Sequence, residues 1–355
     1  MQPSGCPCRK RGHPEAPTTR PKMTATHSEI FHAEPSESRA EILRRRINDM
    51  AKTDLIAYCH SAGRVFGKHA ENAANEIEQL DTSRQFNPLL YTLHWKLHTG
   101  IAAKNFGRVS SALGEIQSAA DRGLLYNKSF AISNLQWDTL DSEVYDFLAG
   151  PEGPRQANGG LPITRRLDAE HYATAKRWVE ESLPVLRQVD PGMFAEFDQL
   201  VAGVRLFDGI AARGITSVRC WGMILLRVPN SGLETEESTL YFLDHITHET
   251  SHTVLHSIMT FDPLITNGHG ARFTAPIRPD PRPLYGIFHA MFVLSRIAKV
   301  LDGYARVEGR ASVEQWRDGS ITRFYKGYQT IRQHAELTEA GEAILRTCKE
   351  SVDAL

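Results

Sequence analysis

The sequence lacks an uninterrupted apolar run of the length that a membrane span requires. A helix crosses a bilayer with about 18 or more consecutive apolar residues. The longest apolar stretches of this chain are broken by Lys, Arg, His or Gly. The N-terminus carries charges with no apolar segment behind them, unlike a secretory signal. We therefore expect no membrane partner and a cytoplasmic location.

Cysteine is scarce, and its placement argues against two common uses of the residue. The five cysteines are scattered along the chain, at Cys6, Cys8, Cys59, Cys220 and Cys348. They form neither the recurring pairs of a zinc site nor an even-numbered disulfide framework. A reducing compartment is the environment that such a pattern indicates.

An excess of charge of one sign is also absent. The formal net charge is -1 at pH 7, so no bulk field attracts the chain to nucleic acid. The sequence contains no glycine-rich phosphate loop and no Gly-x-Ser-x-Gly elbow. We therefore expect no nucleic-acid partner, and the motifs of nucleotide-binding loops and serine hydrolases are missing.

Apolar residues at helical spacing predict a mainly α fold. Residues 1–36 are expected to be a disordered tail, residues 37–150 an N-terminal helical region, and residues 151–355 a catalytic region that forms one compact unit with it. Helices are predicted from the cap at Ser36 or Ser38 onward and over residues 70–80, 88–104, 107–124, 169–186, 191–207, 237–259 and 284–304, with two more at the end of the chain.

Residues 214–228 depart from the helical pattern. They include Ile215, Val218 and Val228, which favour extended chain, and Pro229 closes the segment. One or two strands are predicted here. The expected fold is therefore a helical domain with a small β element preceding the helix over residues 237–259.

That helix contains the one motif with recognisable chemistry. His-Glu-x-x-His occupies residues 248–252. Residues four apart on a helix project from the same face, so the imidazoles of His248 and His252 can bind one metal ion. Glu249 is near enough to act on a metal-bound water or on a ligand. We predict a mononuclear metal site with these two histidines as ligands.

The third ligand must come from another part of the chain. His245 or His256 would require three ligands along about 12 Å of one straight helix, which is too far for a single ion. Two donors stay open. His289 lies in an apolar helix, where a buried imidazole needs a partner and either binds a metal or pairs with a carbonyl. Asp280 would instead complete a triad of two histidines and one carboxylate, which suits iron.

The segment before His289 presents two arginines among prolines. Arg278, Asp280 and Arg282 alternate with prolines over residues 276–283. Because proline restricts the backbone, these charged groups have little freedom left to lose on binding. Arginine grips a small carboxylate through two parallel hydrogen bonds, so the loop suits such a ligand. The alternative is a structural Asp–Arg pair at the start of a helix.

These segments resemble the HExxH-motif peptide-modification proteins. The similarity rests on the His-Glu-x-x-His helix, on Ala-Pro-x-Arg-x-Asp-Pro-Arg-Pro-Leu-x-Gly at residues 275–286, on the following His, and on Leu-Thr-Glu-Ala-Gly at residues 337–341. It covers roughly residues 205–350. The proline–arginine segment is its most specific part, because the metal motif also occurs in many proteases.

The resemblance implies an iron(II)- and 2-oxoglutarate-dependent peptide β-hydroxylase that modifies a ribosomally synthesised precursor peptide. It implies three iron ligands: His248, His252 and His289. It also implies that Arg278 or Arg282 binds the far carboxylate of 2-oxoglutarate. Glu249 would then hydrogen-bond a ligand or orient bound water.

Two other classes of protein are compatible with the motif. In a zinc metallopeptidase, Glu249 would deprotonate a zinc-bound water. The absence of any Glu between residues 253 and 307 argues against the thermolysin-like form, which takes a ligand from there. The other class is a binding module that has kept the helix and lost the metal.

Overall fold

The computed structural model describes residues 27–150, 153, 155–156, 158–210, 212–229, 235–268, 270–277 and 280–355. In this part of the chain, 66% of residues are helical and the twelve helices accompany a small five-stranded sheet. The predicted mainly α fold is confirmed, and all five strands precede the helix that carries the motif. The α-helices are α1 (His27–Ile30), α2 (Glu37–Phe66), α3 (Lys68–Glu78), α4 (Pro88–Ala102), α5 (Phe106–Asp121), α6 (Thr139–Ala149), α7 (Ala169–Val189), α8 (Pro191–Leu200), α9 (Thr235–Ile258), α10 (Leu284–Glu308), α11 (Ala311–His334) and α12 (Glu339–Asp353).

The sheet is mixed, and its parallel strands lie in the middle. The strands are β1 (Ala131–Asn134), β2 (Ile163–Arg165), β3 (Gly203–Ile210), β4 (Gly214–Thr216) and β5 (Met223–Arg227). Their order is β1-β3-β5-β4, with β2 pairing with the far end of β3. Strands β1, β3 and β5 are parallel, whereas β4 runs antiparallel to β5. Among the described strands, β4 therefore forms the edge next to the motif helix.

One predicted helix is partly wrong. The expected helix over residues 191–207 ends at Leu200, and Gly203–Ile210 forms the central strand β3. Buried strands in the middle of a sheet show unbroken apolar runs, because both faces are covered. Such a run does not alternate, so it resembles a helix segment in sequence. The strand predicted within residues 214–228 is present as β4 and β5, with a 3₁₀ turn between them.

The expected disordered tail is described only in its last part. Residues 1–26 lie outside the described residues. From His27 onward the chain forms α1, and the side chains of Ile30 and Ala33 are buried. The carbonyls of His32 and Glu34 accept hydrogen bonds from Arg39 of α2. The segment leading into α2 is thus packed onto the protein.

A buried group of charges joins four helices around the motif. The carboxylate of Glu196 on α8 binds Arg39 of α2 and Arg296 of α10, and these side chains are almost fully buried. Burial raises the pKa of Glu196, but the two guanidinium groups outweigh it and the net pKa is lowered. Arg296 also donates from Nε to the hydroxyl of Ser251, which precedes His252 on α9. The network therefore fixes the motif helix against its neighbours.

The motif helix lies in the interior of the fold. Helix α9 packs against α2, α7, α8 and α10 and against strands β4 and β5. One hydrophobic core extends from α2–α5 to α9–α12, and Trp221 joins its two parts by contacting Tyr91 and donating to the hydroxyl of Ser257. The predicted metal ligands His248 and His252 are thus carried by one of the most enclosed elements.

One described helix, Leu284–Glu308, is long and apolar enough to cross a membrane by length and composition. Its most apolar window has a mean hydropathy of 1.4, and 78% of that window is buried inside the protein. The core helix of a folded domain meets the same criterion, so this feature is weak support for a membrane span. Its buried residues pack in the same cores as α9.

Candidate metal centre

The two histidines of the motif face each other as ligands of one ion would. The Nε2 atoms of His248 and His252 lie 3.2 Å apart. Nitrogen ligands bind first-row metals at about 2.0–2.1 Å, so two of them on one ion lie about 3.0–3.4 Å from each other. Both rings are partly exposed, which leaves the space between them open to a ligand. These two side chains fit a metal ion as they stand.

Glu249 lies beside this pair and is held by the sheet. Its Oε2 atom accepts a hydrogen bond of 2.6 Å from the hydroxyl of Thr216 on β4, and its Oε1 atom is 3.9 Å from Nε2 of His248. The carboxylate is almost completely buried, and it lies directly against the strand. A Cβ atom at Gly214 would come within 2.1 Å of Oε1. One carboxylate oxygen thus lies next to His248, and the other is held by Thr216.

His289 of α10 joins the cluster from the opposite side. Its ring centroid is 5.6 Å from that of His252, and the two Nδ1 atoms lie 3.4 Å apart. Its Nε2 atom is 3.2 Å from the sulfur of Met259, and its ring also contacts Tyr285. The structure therefore places His289 next to His252. His289 faces the Nδ1 atom of His252, whereas His248 faces its Nε2 atom.

This orientation decides how the three histidines fit a metal. Among the described residues, no group of three or more His, Cys, Asp or Glu side chains has the geometry to hold an ion. For His289 to join His248 and His252 on one ion, an imidazole must turn. His289 faces Nδ1 of His252, whereas His248 faces Nε2 of the same ring. Two of the three predicted ligands thus face each other directly, and the third lies beside the pair in another orientation.

Burial keeps the nearby histidines neutral. It lowers the pKa of His289 well below the ordinary value, and the neighbouring His256 lowers it further. Burial also lowers the pKa of His256 to about 4. Neutral imidazole is the form that binds a metal, so protonation does not compete with binding by His289 at neutral pH.

The two other histidines of α9 have different surroundings. His245 is buried, stacks on Tyr241 and bonds that residue's carbonyl through Nδ1, so it is a core residue. The ring centroid of His256 is 5.0 Å from that of His289. Its Nδ1 atom is buried with no hydrogen-bond partner in the described part of the chain. The ring of His256 also stacks on that of His252, with the two centroids 6.1 Å apart.

The proline–arginine segment is described only in part. Arg278 lies outside the described residues. Arg282 forms an ion pair of 2.7 Å with Asp280, whose side chain is about half exposed at 52%. The Nε atom of Arg282 is buried and has no hydrogen-bond partner among the described residues. A buried donor without a partner is suited to bind a carboxylate ligand. The ion pair with Asp280 instead matches the alternative of a structural Asp–Arg pair at the start of a helix.

Several residues of the site were not predicted from the sequence. Thr216 and Gly214 come from a strand well before the motif, and nothing in their local pattern announces contact with Glu249. Met259 directly follows the last residue of α9 and lies seven residues after His252, so helical spacing predicts that it lies on the same face as His252. The same holds for Tyr285, which lies one turn before His289 on α10.

A cavity of the described part of the chain lies away from these histidines. It has a volume of about 650 Å³ and is lined by β1, α7 and α8, with Phe130, Pro184 and Phe197 in its wall. None of the predicted site residues lines it. The candidate metal centre is instead identified by the chemistry of its side chains.

Comparison with known proteins gives no family assignment. No protein-family model matches the chain, and no curated protein matches it either. The similarity to the HExxH-motif proteins therefore rests on the residues quoted above.

Proposed function

We propose that this protein is an iron(II)- and 2-oxoglutarate-dependent oxygenase that hydroxylates the β-carbon of a side chain in a ribosomally synthesised peptide. The observation that carries the proposal is the pair of Nε2 atoms of His248 and His252, 3.2 Å apart, with a carboxylate beside them. The proline–arginine segment, with its resemblance to a peptide-modifying family, supports the choice of reaction. The proposal places the enzyme in the cytoplasm with a precursor peptide as partner.

The chain's own residues would divide the work of binding. His248 and His252 would hold iron through Nε2, and His289 would complete the set after turning its ring. The buried network through Ser251 and Arg296 keeps α9 fixed, so the two imidazoles are held in position before the metal arrives. Preorganised ligands lower the cost of binding, because fewer side chains must be ordered at that moment.

Arginine would select the cosubstrate. Arg282 has a buried Nε donor without a partner among the described residues, and Arg278 is the second candidate. A guanidinium group recognises a carboxylate by paired, charge-assisted hydrogen bonds. The far carboxylate of 2-oxoglutarate is such a group. To bind this carboxylate, Arg282 would either give up its ion pair with Asp280 or donate from its Nε atom, which does not take part in that pair.

Bound iron would supply oxygen activation: one oxygen atom enters the substrate C–H bond, the other enters succinate, and 2-oxoglutarate releases carbon dioxide. Glu249 would act by holding a water or a ligand atom through Oε1, while Thr216 holds Oε2. The bond from Thr216 fixes the carboxylate in one orientation. Met259 and Tyr285 contact His289 and would form one wall of the site.

The experiment that tests the proposal measures succinate. Anaerobically iron-loaded protein is given 2-oxoglutarate and then oxygen, and succinate is followed with time. The proposal predicts slow succinate formation without peptide by the wild type. It predicts none by His252→Ala, because that change removes one of the two ligands that already face each other. The control is His98→Ala, a change on α4 in the N-terminal helical region.

A zinc metallopeptidase is the second candidate, and the position of Glu249 favours it. A carboxylate oxygen 3.9 Å from a ligand nitrogen is suitably placed to take a proton from a metal-bound water. No succinate, together with zinc retained on purification and cleavage of a test peptide that Glu249→Gln abolishes, would establish this function instead. Succinate formation without cleavage would exclude it.

A further inference from the structure

Strand β4 forms an edge of the sheet beside the metal-binding helix. It pairs with β5 alone among the described strands. The amide of Arg227 donates to the carbonyl of Arg213, so residues 213 and 227 are a hydrogen-bonded pair. Because such pairs alternate along an antiparallel ladder, Ile215 also bonds β5, whereas the backbone groups of Gly214 and Thr216 point away from β5.

The side chains of β4 alternate in the same way. Ile215 is buried in the core cluster on one face of the sheet. Gly214 and Thr216 lie on the other face, against the carboxylate of Glu249. Since side chains of neighbouring strands on one face point the same way, a strand added to this edge would direct every second side chain toward α9 and its histidines.

We infer that the open edge of β4 binds an extended segment of the peptide substrate, which pairs with Gly214 and Thr216 through its backbone. This inference rests on the proposed peptide substrate. Backbone hydrogen bonds between the peptide and β4 would bind peptides of any sequence. The peptide side chain that faces Glu249 would determine which residue is modified. Binding by strand addition is a recurrent mode of peptide recognition.

A peptide fits this edge better than a second copy of the chain. The edge offers three residues, and specific stable interfaces between proteins bury at least about 1,000 Å². A short strand alone provides far less area than that. A peptide would also be held by its reacting side chain at the metal centre, so it does not need so large an interface. Gly214 allows β4 to lie close to the carboxylate of Glu249.

The test is amide hydrogen exchange of the full chain with a bound peptide. The probe is the tightest decapeptide selected from a displayed random library against the iron-loaded protein. Exchange at Gly214 and Thr216 should slow at least about tenfold when the probe binds, since each amide gains a hydrogen-bond acceptor. Exchange at Ile215, which already bonds β5, should not change. This alternation is the internal control.

A pair of variants provides a second measurement. Thr216→Pro removes the outward N–H group and the hydroxyl, whereas Thr216→Val removes the hydroxyl alone. Proline is tolerated in edge strands when its nitrogen faces away from the partner strand. Probe binding should weaken about tenfold in Thr216→Pro relative to Thr216→Val, which corresponds to the loss of one hydrogen bond. If the proline variant does not fold, the exchange pattern of the wild type decides.

The outcomes separate this inference from the proposed oxygenase. Protection of Gly214 and Thr216 without succinate formation would support the edge and overturn the oxygenase. Succinate formation with unchanged exchange at both residues would overturn the edge alone. A library that yields no binder would also overturn the inference about the edge. Protection of Gly214 and Thr216 that rises with protein concentration in the absence of probe would overturn it too, because it would identify a second copy of the chain as the occupant.

Discussion

At the scale of single residues, the contact between Gly214 and Glu249 is the tightest constraint on the site. Any side chain at Gly214 would occupy the place of the carboxylate, because a Cβ atom would lie 2.1 Å from Oε1. A larger residue here would force the side chain of Glu249 to move, because of this close approach and not because of the backbone conformation of Gly214.

Gly214→Ala should displace Glu249 and lower turnover while destabilising the fold by about 1–3 kcal/mol, the usual cost of an overpacked site. The matched control is Gly63→Ala in α2, where a Cβ would meet no atom within 4 Å. That change should be neutral or stabilise by up to about 1 kcal/mol, since alanine is the better helix former. Urea unfolding of both variants measures the difference. Equal stability of the two would contradict the close contact.

Two substitutions test which residue is the third ligand of the proposed metal site. His289→Ala should abolish stoichiometric iron binding, because His289 is buried beside His252 and has a neutral ring. Asp280→Asn should retain the iron, because Asp280 is exposed and paired with Arg282. Metal analysis after anaerobic loading distinguishes the two. Iron retained by His289→Ala and lost by Asp280→Asn would assign the third position to the carboxylate.

The residues that the sequence could indicate are those with a fixed spacing in one helix. His248, Glu249 and His252 belong to one motif, and helical geometry alone predicts that the two imidazoles meet. Thr216 and Gly214 could not be predicted, because their contact with Glu249 depends on how a separate strand packs against α9. The orientation of His289 also depends on tertiary packing against Met259 and Tyr285.

At the scale of elements, the buried charge network connects the site to the rest of the fold. Glu196→Ala should lower the free energy of unfolding by about 3–5 kcal/mol, because it leaves two buried guanidinium groups without their partner. Glu41→Ala breaks an exposed pair with Arg45 and should change stability by less than about 1 kcal/mol. Denaturant unfolding measures both. A small effect at Glu196 would mean that α2, α8 and α10 are held by apolar packing alone.

The segment between α1 and α2 should make stability depend on pH. Burial, and after it Arg39, lowers the pKa of His32 to about 4. Below the ordinary histidine pKa of about 6.5, the unfolded chain binds a proton that the folded chain does not bind until about pH 4. The unfolded state is therefore favoured as the pH falls through this window. His32→Asn should reduce the loss of stability between pH 6.5 and 4, and an unchanged slope would contradict this assignment.

The helices were predictable because their apolar stripes and caps are local features. Asn87 caps α4 with Pro88 at its first turn, as the sequence rules require. The strand β3 was not predictable, because its residues are buried on both sides and show no alternation. The short strand β1 has four residues, and only its pairing with β3 defines it.

At the scale of the whole molecule, one core connects the N-terminal helices with the C-terminal ones. Unfolding by urea should therefore be a single transition, with the same midpoint by circular dichroism and by tryptophan fluorescence. Trp221 lies at the junction and reports on both parts through Tyr91 and Ser257. Two separate transitions would show that the helices of residues 37–150 fold apart from residues 151–355.

The interior position of α9 has a consequence for how metal binding can be observed. An ion that binds only the folded chain adds its binding free energy to stability, by about 4 kcal/mol when its free concentration is a thousand times the dissociation constant. Because α9 contacts four helices and two strands, opening the site is coupled to melting of the core. Thermal melting with a series of divalent ions would therefore rank their affinities directly, with neither a substrate nor a catalytic cycle.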